Sequence, residues 1–368
     1  MPNTTTRHYL LLDGLRGVAA LLVLLFHLFE AVAFAAGRAE QDMFHGFLAV
    51  DFFLILSGFV MSYAYDGRWG EMSVGAFFRR RLIRLHPMVV AGVVFGAVVF
   101  VAQGSVRWDG TQVPWIAVVS GVLLALLLLP SPLELDVRGN TEMFPLNGPH
   151  WSLFFEYLFN VLYALLLRRF STRVLKIWVV CAAAALLGFT VWGPEGTIGC
   201  GWSSSPGNML GGLLRVAVDY PMGLLLARLF HSRRHSAVDG RWLFVVCSVL
   251  LALLFAVPSL GTANVFYELF CMVVVFPLIV WFAARGVVKE GGVANRSLAF
   301  LADISYPLYA IHYPLIYLYI GWINADVHPF GTAVWATPLA LTAIAILLAY
   351  LLMRCYDKPL RRWLSQRG

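Results

Sequence analysis

Between Leu11 and Leu28 the chain reads LLDGLRGVAALLVLLFHL, a run apolar enough to cross a bilayer that nevertheless contains an arginine and a histidine. Nothing else in the sequence constrains the fold as tightly. Ionisable side chains at membrane depth are tolerated only where they face a protein interior or a watery cavity. A helix turns about 100° and rises about 1.5 Å per residue, so Arg16 and His27 fall on nearly the same face, about 16 Å apart along the axis. Asp13 lies one turn before Arg16 and Glu30 about one turn after His27, which gives each a carboxylate within helical contact distance. A polar stripe facing other helices is therefore expected on the first span.

The rest of the chain has the composition of a membrane protein. Hydrophobic residues make up 60% and charged residues 13%, against about 25% charged in soluble chains, and the mean hydropathy is +0.77. Apolar runs delimited by charge, Gly or Pro place spans near 9–36, 46–65, 85–103, 150–168, 176–192, 209–230, 241–257, 265–284, 304–323 and 332–353. The first is too long for a signal-peptide core and has no small-residue cleavage site behind it, so it is read as retained. These ten crossings define an all-α, polytopic bundle, one integral-membrane domain over 1–368.

An eleventh apolar run, Val113 to Leu129, cannot be a crossing without moving the basic stretch Arg168 to Lys176 to the other side. It is expected to be re-entrant or packed against the bundle. Pro130 to His150, rich in turn residues and carrying both charge signs, is expected to form an ordered outer cap.

The formal net charge is +7, but 22 of the 27 Lys and Arg sit in alternate loops. That asymmetry is a topology signal and not a nucleic-acid footprint: it puts the basic loops and both termini in the cytoplasm, with the chain in the cell membrane. The five cysteines have no ligand-like spacing and suggest neither a disulfide framework nor a metal site.

Four further segments carry candidate chemistry. In AVDFFLILSGFVMSYAY, Ala49 to Tyr65, Ser57 and Gly58 form a small pair that would let the second helix pack against the first. FFRRRLIRLHP gathers Arg79, Arg80, Arg81 and Arg84 at one interface. Arg81 and Arg84, three apart, share a helical face where planar forks can grip phosphates, with Arg80 beside them. NGPHWSLFFEYLFN buries Glu156 in the fourth span, where it could meet His27 or pair with Arg215. ADISYPLYAIHYPLIYLYI interleaves tyrosines, Tyr306 among them, with Pro307, His312 and Pro314. Carbonyls freed by the prolines and the tyrosine hydroxyls suggest a wall of a polar cavity, to which Asp13, Ser57, Tyr306 and His312 would contribute. Haem is disfavoured, since no C-x-x-C-H site exists.

Taken in order, LDGLRG with Arg16 and His27, DFFLILSGF, the R-x-x-R of Arg81 and Arg84 before Pro87, WSLFFE ending at Glu156, and ISYPLYAIHYP resemble the acyltransferase 3 family of integral-membrane acyltransferases. One departure is the YLFN that follows Glu156, where the family often has a Phe-Tyr pair. The resemblance implies ten helices and a cytosolic acyl-CoA donor, acetyl-CoA first among them. It also implies transfer to a hydroxyl of a saccharide, lipid or small molecule. His27 would take the hydroxyl proton, directly or through a transient acyl-histidine, and Arg16 would hold the donor or the developing negative charge, with Glu156 nearby. The competing reading is a transporter that uses Arg16, His27 and Glu156 as a relay.

Overall fold

The structure, a computed structural model, describes residues 9–35, 44–193, 196–233, 235–325 and 332–367. In chain order its helices are α1 Leu10–Ala35, α2 Ala49–Tyr65, α3 Val74–Ala102, α4 Trp115–Leu126, α5 His150–Leu165, α6 Thr172–Trp192 and α7 Pro206–His231. There follow α8 Gly240–Phe255, α9 Asn264–Phe270 running through a π-turn into α10 Phe276–Ala283, and α11 Val293–Asn324. Last come α12 Thr332–Leu352 and, after a second π-turn at Met353–Asp357, α13 Lys358–Gln366. Every predicted span coincides with a helix, α9 and α10 together forming the eighth. Among the described residues seven helices are long and apolar enough to cross a membrane.

Helix limits depart from span limits where charge meets the bundle. The apolar run alone predicts a third span from residue 85, yet α3 starts at Val74, with Ser73 Oγ accepting from Ala76 N at 3.1 Å as an N-cap. The arginines of FFRRRLIR are good helix formers, so the helix continues beyond the apolar core. α11 likewise begins at Val293 instead of near 304. α4, at 12 residues, is about 18 Å long and too short to cross. It packs beside α3 and exposes Trp115 and Leu127, which settles the eleventh apolar run as a helix packed on the bundle.

Two close helix pairs form the centre: α1 runs along α11, and α2 along α7. Each depends on glycine. A Cβ on Gly17 would lie 2.4 Å from Leu301 O, one on Gly58 2.1 Å from Tyr220 O, and one on Gly223 2.1 Å from Ile55 O. Gly58 thus serves α7 and not, as expected, the first helix, while Ser57 lies on another face and donates to Glu156 of α5.

Two of the proline-freed carbonyls are recaptured by side chains. Pro314 cannot supply an N–H to Ala310 O, and Asn147 Nδ2 donates to that oxygen at 2.7 Å. Pro221 leaves Ala217 O open in the same way, and Trp178 Nε1 donates to it at 2.9 Å. The helices therefore stay continuous across their prolines.

Arg215 forms a two-pronged pair with Asp51, at 2.9 and 2.7 Å, and both are buried. Glu156 is not its partner. This bridge ties α2 to α7, and losing one member strands a charge in an apolar interior. Arg215→Ala should cost about 3–5 kcal/mol, read as lost thermal stability in nanodiscs, whereas removing both charges together should cost less.

The segment between α4 and α5 is ordered, as expected of a cap, and it enters the bundle. Leu146 lies against Gly96 of α3. Arg138, 1% exposed, packs 3.9 Å over the Tyr317 ring and donates to Gln103 Oε1 at 2.9 Å. Glu142 accepts from the Tyr317 hydroxyl. Burial pushes the Glu142 carboxyl up from 4.5 to about 7, against the opposing hydrogen bond from Tyr317 and the charge of Arg138. The native state therefore binds the proton more tightly than the unfolded chain. The associated stability is present below about pH 4.5 and is lost as pH rises through about 7. Melting curves across that window should show a fall for the wild type that Glu142→Gln flattens.

Candidate active site

α1, α2, α3, α5 and α11 enclose a cavity of about 340 Å³ whose polar lining includes Arg16, Ser57, Arg81, Arg84, Glu156 and Tyr306. Each side chain reaches it for a local reason. Arg16 is on the α1 face that packs on α11: its Nε donates to Ser305 Oγ at 3.1 Å, and Asp13 lies 3.4 Å from its Nη2. Glu156, two turns into α5, accepts from Ser57 Oγ at 2.6 Å and from Arg81 Nη2 at 2.9 Å. Tyr306 donates its hydroxyl to Leu85 O of α3 at 2.6 Å. At the opposite end the cavity is bounded by Phe53 and Tyr309, whose rings meet edge to face at 5.4 Å. Tyr309 is held there by a 2.6 Å hydrogen bond with Ser152.

His27 and His312 do not line this cavity. His27 lies beyond Tyr309, its ring stacked 5.6 Å from that of His312, which is in turn 5.8 Å from the Tyr309 ring. Tyr313 meets His27 edge to face at 4.8 Å. His27 Nδ1 is 2.7 Å from Glu30 Oε2. A carboxylate accepts, so Nδ1 carries a proton, and in the neutral ring Nε2 keeps its lone pair. Fully buried His312 is fixed in the same tautomer, with Nδ1 donating to Leu308 O and Tyr309 O, and its Nε2 has no partner.

The spacing argument for α1 holds in space: Arg16 and His27 both turn toward α11, at Ser305 and His312. Glu156 and His27, expected to be able to meet, are joined to different partners. The pairing with Arg81, seven residues into α3, draws Glu156 toward the basic end. Arg81 and Arg84 both line the cavity but differ in their surroundings. Arg81 is buried and spent on Glu156, while Arg84 stays open to solvent. Arg80 lies outside the cavity in an adjoining groove.

Three groups were absent from the expected site. Glu30 was visible in its spacing from His27 but carried no role. Tyr309 looked like one tyrosine among several. Arg361, after the last span, enters the cavity lining because a π-turn swings α13 back under the bundle, holding Asp357 against Arg361.

A many-helix bundle with paired charges at membrane depth and a polar chamber reaching a basic end is a polytopic membrane protein built around an interior site. Residues 9–354 match the model of the acyltransferase 3 family, an acyltransferase domain, and the chain belongs to that family. It is similar to the acyltransferase MdmB of Streptomyces mycarofaciens, at 26% identity over 97% of this chain and 92% of that protein. It is also similar to protein 2 in the picA locus of Rhizobium radiobacter, at 33% identity over 45% of this chain and 85% of that protein. No solved structure matches. The chain is a membrane acyltransferase.

The side-chain pairing can be read by double-mutant cycles on stability. Arg81→Met with Glu156→Gln should show a coupling of about 1–3 kcal/mol. His27→Ala with Glu156→Gln should be additive within about 0.5 kcal/mol, since the two share no partner.

Proposed function

We propose that the protein transfers an acyl group from acyl-CoA, acetyl-CoA first among donors, to a hydroxyl of a saccharide, lipid or small molecule. The observation that carries this reading is the Glu30–His27 pair. A carboxylate 2.7 Å from Nδ1 fixes the tautomer and aims a free Nε2 away from it, the arrangement a general base requires. By the positive-inside rule the basic end faces the cytoplasm of a cell membrane, with both termini on that side. The donor enters there, and the acceptor arrives from the bilayer or from the far side.

A thioester carbonyl is already electrophilic, so the enzyme's work lies in the acceptor and in the charge that develops. His27 Nε2 removes the proton as the hydroxyl oxygen attacks. The C–O bond forms and the carbonyl oxygen becomes an oxyanion. Collapse breaks the C–S bond, and the imidazolium returns its proton to the thiolate, releasing free CoA. Glu30 stabilises the imidazolium while it exists. A transient acyl group on Nε2 would use the same geometry.

Arg16, with one hydrogen bond to a neutral group and a 3.4 Å pair with Asp13 among the described residues, retains donors for the donor's carbonyl or phosphates. Glu156 and Arg81 hold the chamber's shape and charge balance. The thioester arm passes between Phe53 and Tyr309 to reach His27, and a Tyr309 rotamer change opens that passage. The relay-transporter alternative finds no support in the family or in the relatives.

Purified protein in nanodiscs should release thiol from acyl-CoA over repeated turnovers only when acceptor is present. His27→Ala should lower that rate by about 10²–10⁴-fold without loss of folding. Glu30→Gln should fall between the wild type and His27→Ala. Equal thiol release by wild type and His27→Ala would remove His27 from this role.

A further inference from the structure

Beneath the chamber, the first turns of α3 and the length of α13 form the walls of a groove of about 810 Å³. Its lining contains six cations, Arg79, Arg80 and Arg84 from α3 and Lys358, Arg361 and Arg362 from α13, and no carboxylate. Two acidic groups touch its edge: Asp303 binds Lys358 at 2.6 Å and Asp357 binds Arg361. Four guanidinium groups remain without an acidic partner among the described residues. Like charges gathered this closely repel, so the assembly needs a reason to persist. α13 is strapped in place by Arg79 Nη2 donating to Leu364 O at 2.9 Å. The positive wall is therefore built into the fold.

Arg84 and Arg361 line both the groove and the chamber above it. One ligand can thus place a polyanionic head in the groove and run an uncharged arm upward past Tyr306. A lone lipid phosphate would leave most of the cations unanswered. α13 also lies beyond the segment that matches the family, which ends at 354.

We propose that α13 supplies half of a phosphate clamp, with Lys358, Arg361 and Arg362 closing against Arg79, Arg80 and Arg84 on the phosphates of the nucleotide end of the donor. This rests on acyl-CoA being the donor. It reassigns the grip expected of Arg81 and Arg84 to Arg84 and a second helix. Planar guanidinium groups suit the role because each can bind a phosphate through two parallel N–H groups.

The test uses full-length protein in nanodiscs of zwitterionic lipid, with Arg362→Glu, Arg80→Glu and Arg362→Lys. Both reversed positions are exposed, and two independent helices guard against a folding artefact in either. Adenosine 3′,5′-bisphosphate is the probe for the clamp alone. Each reversal should weaken its binding about tenfold or more, with Arg362→Lys keeping most of it. The ratio of kcat/KM for acetyl-CoA over acetyl-pantetheine, which lacks phosphates, should fall by the same factor, through KM.

Unchanged bisphosphate affinity in both reversals would overturn the clamp. So would an effect of the reversals that appears only after anionic lipid is added, which would make the groove a headgroup site. Wild-type protein that binds the bisphosphate, with the reversals weakening it, yet releases no thiol from any acyl-CoA would leave the clamp standing and remove the donor reading.

Discussion

A guanidinium or carboxylate at membrane depth has no water to fall back on, and the bundle is held by ties that such groups make from one helix to another. Asp51 and Arg215 join α2 to α7, Glu156 and Arg81 join α5 to α3, and Arg16 reaches Ser305 to join α1 to α11. At the basic end Arg228 and Asp66 add a further link at 2.8 Å. Apolar helices in lipid have little hydrophobic reason to choose one neighbour over another. The ionic pairs supply that choice, and the glycines at 17, 58 and 223 let the backbones approach closely enough for the pairs to form.

The same rule explains why the prolines do no damage. Each proline inside a helix releases a carbonyl four residues earlier, an acceptor that lipid would leave unsatisfied. Asn147 and Trp178 come from neighbouring elements to fill Ala310 O and Ala217 O. The segment before α5 enters the bundle partly because Asn147 has that carbonyl to bind. A helix broken in the sequence pattern therefore draws a loop inward, and that loop closes the tyrosine-rich wall at the end away from the basic groove.

Much of this was legible from the residues. Ten apolar runs gave ten helical segments, α9 and α10 counting as one, and the 11-residue spacing of Arg16 and His27 gave their common face toward α11. The ordered motifs gave the family. What the sequence withheld were the pairings, because periodicity fixes a face and not the neighbour that face will meet. Glu156 could reach His27 or Arg215 on paper, and it found Arg81 and Ser57. Gly58 was assigned to the wrong helix for the same reason. The last basic residues were invisible as site residues, since charge counting reads Lys358, Arg361 and Arg362 only as orientation signals. The π-turn at Met353–Asp357, which redirects them under the chamber, leaves no periodic trace.

On the proposed acyl-CoA reading, the division of labour has a physical logic. Phosphates carry charge that cannot be desolvated cheaply, so cations meant for them would belong at the basic end beside water, where α3 and α13 place Arg79, Arg80, Arg84, Lys358, Arg361 and Arg362. Proton transfer gains from exclusion of water, so a base would belong deeper, where His27 stands with its Nδ1 2.7 Å from Glu30. Separating the two by the length of a chamber would mean that only a ligand long enough to occupy both could bring a reactive carbonyl to Nε2. Arg16 lies between them on the same face of α1, and among the described residues its contacts with Ser305 and Asp13 leave it donors to spare. An apolar thioester without phosphates would reach the chamber with no hold at its mouth, and a phosphorylated ligand without an arm would never pass Tyr309. On that reading length and charge together would select the donor before any chemistry begins.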